Sequence, residues 1–252
     1  MLWRRLLAEG VGTGLLVTVV VGSGIAAVRL SPHDVGLQLL ENALVTGLGL
    51  AVLILAFGPV SGAHFNPVVS AVDWWLGRRE HAGLTGRELA GYTLAQTAGA
   101  ICGAVLANVM FAVPPVAFSQ HDRAAGHLLV GEVVATAGLV FLIFSLARTH
   151  RGSVAAPAVG AYIAAAYWFT SSTSFANPAV TIGRAFTDTF AGIAPASVPA
   201  FVVAQLAGAL VGLGLLLALY PHAEQGAADV LPHPGLDDSA RPRHDRPALP
   251  SP

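Results

Sequence analysis

Residues 173–186 read TSFANPAVTIGRAF, and residues 61–75 read SGAHFNPVVSAVDWW. Each places Asn-Pro at the head of a short apolar run that ends in charge. About ten residues separate Asn66 from Gly77, and about ten separate Asn177 from Asp188. At ~1.5 Å per residue such a run makes a helix ~15 Å long, half of a ~30 Å hydrocarbon core. Asn is a favoured N-cap. Pro is favoured at the next position, because it lacks the N–H that would go unpartnered there. One Asn-Pro would read as a turn. Two, at matching places in the chain, predict a pair of half-length helices that each start at Asn.

The rest of the chain says what those half-helices are set in. Of the 252 residues, 54% are hydrophobic and only 11% are charged, against roughly a quarter charged in soluble domains. Six stretches reach the ~20 residues that span a bilayer: about 3–29, 35–58, 86–112, 126–148, 153–173 and 196–220. They are long, rich in Ala, Leu, Gly and Val, and do not alternate, so they read as helices rather than barrel strands. The first run is too long for a cleaved leader and reads as a retained span. With a cytoplasmic N-terminus, ten of the 13 arginines fall inside and only Arg29, Arg123 and Arg184 outside. Both termini are then cytoplasmic. Residues 221–252 are Pro-rich and charged, and read as a disordered tail. A net charge of −1 gives no case for nucleic acid, and the single Cys102 rules out an intrachain disulfide.

The two halves repeat. Glu9 is followed four residues later by Thr13, and Glu132 by Thr136. AQTAGAICG (95–103) matches AQLAGALVG (204–212), with Gln96, Gly99 and Gly103 answered by Gln205, Gly208 and Gly212. Repeats of about 1–112 and 126–220, with three spans each, must enter the membrane from opposite faces. Inverted repeats of this kind place their site at the midplane, where half-helices end. Two helix N-termini meeting there repel cations and leave Asn amides as donors beside apolar walls. That suits small neutral solutes. Nothing supports hydrolysis or group transfer: there is no Ser/His/Asp set, no phosphate loop and no His/Cys cluster with ligand spacing. His222, His233 and His244 are too far apart to form a metal site. No cofactor or metal is expected.

SGAHFNPVV, NPAVT, the paired Glu residues and the AQxxGA repeats resemble the aquaporin and glycerol-facilitator (major intrinsic protein) family over residues 3–220. The resemblance implies an all-α bundle of six transmembrane helices with two re-entrant half-helices. It also implies a pore in every subunit and a homotetramer. It places the constriction at Asn66, Pro67, Val68, Asn177, Pro178 and Ala179. Val68 stands where the family usually has Ala. Val180 stands where it usually has the filter Arg. Counting by the family's spacing gives a selectivity filter of Thr46, Ala165 (Ala164 or Ala166 if the loop shifts), Ser174 and Val180, a ring that is small, uncharged and wide. Arg184, one turn after Val180, either reaches back to the pore mouth or pairs with Asp188. The stretch FANPAVTIGRAFTDTFAGIAP (175–195) is also similar to the bacterial branch associated with arsenic resistance. That similarity implies a bacterial inner-membrane location and adds uncharged arsenous acid and methylated arsenicals to water and glycerol as cargo.

Glu9 and Glu132 lie inside helices and are costly unless bonded. They serve either as a proton-relay pair or as anchors for the re-entrant loops, and the symmetry favours anchors. Gln96 and Gln205 are expected to bind backbone, Cys102 to be a small packing residue, and His64 to gate by pH or to anchor its loop. The leading function is a passive channel for small neutral solutes in a lipid bilayer. An ion-coupled secondary transporter with the same architecture is the alternative. A membrane scaffold is the third reading, disfavoured because each half-helix keeps its cap Asn.

Overall fold

The computed structural model describes residues 1–78 and 83–221. All of the expected tail 221–252 except Pro221, and Arg79, lie outside the described residues. The described residues form eight α-helices: α1 Leu2–Leu30, α2 Val35–Ser61, α3 Pro67–Gly77, α4 Gly86–Met110, α5 Gly126–Arg148, α6 Ala155–Phe169, α7 Pro178–Arg184 and α8 Val198–Leu219. Short 3-10 turns, Gly152–Val154 and Pro195–Ser197, lead into α6 and α8. Six elements are long and apolar enough to cross a membrane, the last two counted with these turns. The remaining two, α3 and α7, are the half-helices that begin after Asn66 and Asn177.

Local chemistry starts the helices. The Asp34 carboxylate accepts the Leu37 N–H at 2.9 Å to open α2. Thr85 and Glu88 form a reciprocal capping box on α4. Helices α1 and α4 pack together, and α5 and α8 repeat the arrangement. Glycine makes both crossings close: a Cβ on Gly99 or Gly103 would collide with the carbonyls of Gly10 and Gly14. A Cβ on Gly208 would meet the Val133 carbonyl at 2.5 Å, and one on Gly212 would collide with that of Ala137. Backbones this near gain dispersion contact that larger side chains would forbid. Across the halves, α2 packs on α6, where Gly47 lies under the Gly160 carbonyl. Outward-facing Leu40, Leu44, Leu48, Val52 and Leu55 of α2 are each at least half exposed, an apolar stripe fit for lipid.

Two elements are shorter than the sequence suggests. Helix α6 ends at Phe169 rather than near 173, because Thr170 turns its hydroxyl to the Ala166 carbonyl and the chain enters a loop. Helix α7 has seven residues, not about ten. Past Arg184 the backbone instead pairs with the loop before α5: the N–H groups of Ala117 and Ser119 donate to the carbonyls of Phe186 and Ala185 at 3.3 and 3.1 Å. Cys102 lies on the exposed face of α4 and is not a packing residue.

Candidate functional site

The two half-helices meet at their first residues. Both caps have extended backbone, and each side-chain oxygen accepts N–H groups of its own first turn: Val68 for Asn66, Ala179 and Val180 for Asn177. The remaining end of each amide crosses to the other half. Asn66 Nδ2 donates to the Ala176 carbonyl and Asn177 Nδ2 to the Phe65 carbonyl, both at 2.7 Å. The pair is thus reciprocal. One N–H per amide is spent on the tie, which leaves the second for a passing molecule.

Each loop enters its cap in an unusual way. Ala63 and Phe65 have φ of 50° and 48°, and Ser174 and Ala176 have 52° and 48°. These are the residues three and one before each Asn. Left-handed backbone at non-glycine residues costs on the order of 1–3 kcal/mol each. The buried carboxylates offset that cost. Glu9 accepts the N–H groups of His64 and Phe65 at 3.0 and 2.7 Å, the Ser61 hydroxyl at 2.6 Å and Gln96 Nε2 at 2.8 Å. Glu132 accepts the N–H groups of Phe175 and Ala176 at 2.8 and 2.9 Å and Gln205 Nε2 at 2.6 Å. Gln96 and Gln205 therefore serve the carboxylates rather than backbone. Their Nε2 groups also donate to Ser70 and Thr181. These two hydroxyls, each four residues after a cap Asn, bond that Asn's own carbonyl.

Glu132→Gln is expected to cost roughly 1.5–3 kcal/mol and to lower the melting temperature by roughly 3–10 °C, because an amide nitrogen would face N–H donors. Melting in detergent checks this, beside the ratio of glycerol to water permeability, which should hardly move. A mutant of normal stability that has lost proton-driven uptake would instead assign Glu132 to coupled transport.

A cavity of about 90 Å³ runs past the caps. Since about 10–15 Å³ admits one water, it has room for a short file of small molecules. One side is loop: Gly62 to Asn66 and Ser174 to Asn177. The facing wall is apolar, with Leu16, Val20, Leu50, Leu139, Ile143 and Ile163 among it. His64 also lines it, with Nδ1 3.0 Å from the Ser70 hydroxyl and its ring edge-on to Tyr92. Of the residues assigned from the sequence to constriction and filter, Asn66, Asn177, Thr46, Ser174 and Val180 reach the cavity, and so does Arg184. Pro67, Val68, Pro178 and Ala179 are not in its wall. Val68 is buried in the core, and Val69, three residues after its Asn as Val180 is after the other, lines the lumen instead.

Ala165 is a correction. It is exposed on the outer face of α6. The cavity row of that helix is Ala155, Val159, Ile163 and Tyr167, spaced by four. A residue two positions from both Ile163 and Tyr167 points the opposite way. Tyr167 takes the place expected of Ala165, and its hydroxyl lies 3.3 Å from the Thr46 hydroxyl. The ring is thus neither uniformly small nor uncharged, since Tyr167 and Arg184 both face it.

The architecture now matches known proteins over nearly its whole length. The family model described as "Major intrinsic protein" matches residues 1–174 and 152–241. The chain belongs to the major intrinsic protein family. It is 51% identical to "Aquaglyceroporin AqpS" of Rhizobium meliloti over 85% of this chain and 89% of that protein. It is 30% identical to "Glycerol uptake facilitator protein" of Pseudomonas aeruginosa over 84% and 87% of the two chains. The "X-ray structure of the aquaglyceroporin from Plasmodium falciparum" superposes with a TM-score of 0.67, covering 89% of this chain and 99% of that one at 20% identity, a likeness of fold.

Within this member of the major intrinsic protein family, the loop before α5 bonds the loop after α7, beside Arg184. The Ala194 N–H donates to the His121 carbonyl at 2.7 Å, and Asp188 accepts the Gln120 N–H at 2.9 Å. Arg184 does not pair with Asp188. Its Nε donates to the Ala191 carbonyl, and its guanidinium carbon lies 3.4 Å from the centre of the Phe175 ring. The Ala124 N–H and the Ser197 hydroxyl hold the Asp122 carboxyl below its usual range. Sequence reasoning missed Tyr167, Ser70 and Thr181. The last two carried a signal, a hydroxyl four residues after each Asn.

Proposed function

We propose that the chain is a passive membrane channel for small neutral solutes: water, glycerol-like polyols, and the polyol-shaped arsenous acid or its methylated forms. The observation that carries this reading is a cavity lined on one side by loop backbone and two cap amides and on the other by aliphatic side chains. A solute can trade its water for hydrogen bonds along the loop while its carbon skeleton slides on the apolar wall. The named relatives, an aquaglyceroporin and a glycerol facilitator, support the polyol class. Coupled transport needs an acid that can load and release a proton in the lumen. Glu9 and Glu132 do not line the cavity, and accept four and three hydrogen bonds respectively. The arginine bias supports cytoplasmic termini in a bacterial inner membrane, and the family supports a homotetramer.

Stopped-flow light scattering on proteoliposomes tests the proposal, with water, glycerol and arsenous acid compared in one preparation. Glycerol entry should be far above that of empty vesicles, non-saturating and indifferent to a proton gradient. Saturating uptake that follows the proton gradient would overturn the channel reading.

A further inference from the structure

Position 180, three residues after the second Asn, holds Val and no charge. A buried cation stands one turn later. Arg184 is 2% exposed, lines the cavity and forms no ion pair among the described residues. Its only hydrogen bond to the described protein is from Nε to Ala191, so its two terminal nitrogens are left for the lumen. The seat is rigid. The Phe175 N–H that fixes the ring under the guanidinium is itself held by Glu132. A second observation points to a ligand. The Ser174 hydroxyl, beside Phe175 in the chain, is 3% exposed, lines the same cavity and has no partner among the described residues. A buried hydroxyl without a partner costs about 1–3 kcal/mol, and a solute oxygen in the lumen relieves that cost.

Another guanidinium stands behind the seat. Arg123 does not line the cavity, yet its Cζ is 5.2 Å from the centre of the same Phe175 ring. Its Nε donates to the Gly192 carbonyl at 2.9 Å, next in the chain to the carbonyl that holds Arg184. Its own N–H donates to the Ser197 hydroxyl at 2.9 Å. One arginine outside the cavity thus braces both partners of the arginine inside it.

We infer that Arg184, with Ser174, sets solute and charge selectivity one turn outward of position 180, and that Arg123 positions it through Phe175 and the 191–192 backbone. The inference rests on the channel reading. Cations meet a guanidinium with no ion-pair partner among the described residues, while hydroxyl and oxyacid oxygens find donors. Among the described residues the wall of the cavity contains no Asp or Glu, so no carboxylate in the lumen pairs with the guanidinium; Glu132 acts on it only from behind Phe175.

The test uses the full chain in proteoliposomes, with methylammonium, well below its pKa, as the cation probe and water and glycerol as neutral ones. Arg184→Leu should raise methylammonium entry, taken as a ratio to the water permeability of the same vesicles, roughly tenfold, a barrier change of about 1.4 kcal/mol. Arg184→Gln, which keeps a donor for Ala191 without the charge, is the second variant and should leak likewise. Arg123→Gln should leak in the same direction by a smaller factor, and Arg123→Lys should restore exclusion. Folded, water-conducting Arg184 variants that still exclude methylammonium would overturn the inference. An Arg123→Gln channel identical to wild type would overturn the positioning role. Wild-type vesicles that conduct neither water nor glycerol would instead defeat the channel reading itself.

Discussion

Asn177→Asp is expected to remove most solute flux and to destabilise the fold. The Asn177 amide works in two directions at once: its oxygen caps α7, and its nitrogen donates to the Phe65 carbonyl at 2.7 Å. A carboxylate keeps the first task and reverses the second. Two oxygens would face each other where a hydrogen bond had been, in a site only 5% exposed. Removing the bond and leaving a buried acceptor repelled costs roughly 3 kcal/mol or more. The half-helices would part, and the carboxylate would hold water or a cation in the lumen. Glycerol and water permeability per folded channel should both fall by roughly tenfold or more. Asn177→Ala, which loses the donor without adding charge, should be less severe. Unchanged permeability and melting in Asn177→Asp would remove Asn177 from both pore and fold.

Val180→Arg should close the pore to larger solutes before it closes it to water. Val180 lines the cavity, one turn from Arg184 on the same short helix. The seat that holds a guanidinium at this end, the Phe175 ring and the Ala191 carbonyl, is already taken by Arg184. A second guanidinium would be repelled from it and would stay in the lumen. Tyr167 stands in the same wall and cannot give way without losing its contact with Thr46. Glycerol and arsenous acid lose cross-section, whereas water can still pass along the added donors. The ratio of glycerol to water permeability should fall by roughly tenfold, about 1.4 kcal/mol of barrier. A ratio that is unchanged or raised would mean that Arg184 and Tyr167 already set the width.

Much of the molecule was legible in the chain. Two Asn-Pro pairs at matching places fixed two half-helices, because a cap and a missing N–H are local requirements that any context must meet. Apolar length fixed six spans, because lipid offers no partner to an open backbone. Glu9 and Glu132 stood out because a carboxylate in a membrane helix needs donors, and the structure supplies them from the two loops.

Register and partnership across long separations were decided only by the tertiary structure. The count from Asn177 back to α6 ran through a loop, 170–176, with left-handed residues at 173, 174 and 176. Such a loop has no fixed rise per residue, so counting fell on Ala165, on the exposed face of α6, and passed over Tyr167. The seven-residue length of α7 and the seat of Arg184 depend on a strap from residues 115–125 that no local signal ties to residues 185–197. The reciprocal Asn bonds join atoms 110 and 112 residues apart. Helix starts and spans answer to short-range backbone chemistry, which a sequence carries with it. The identity of a pore wall answers to which faces meet after all the helices have packed.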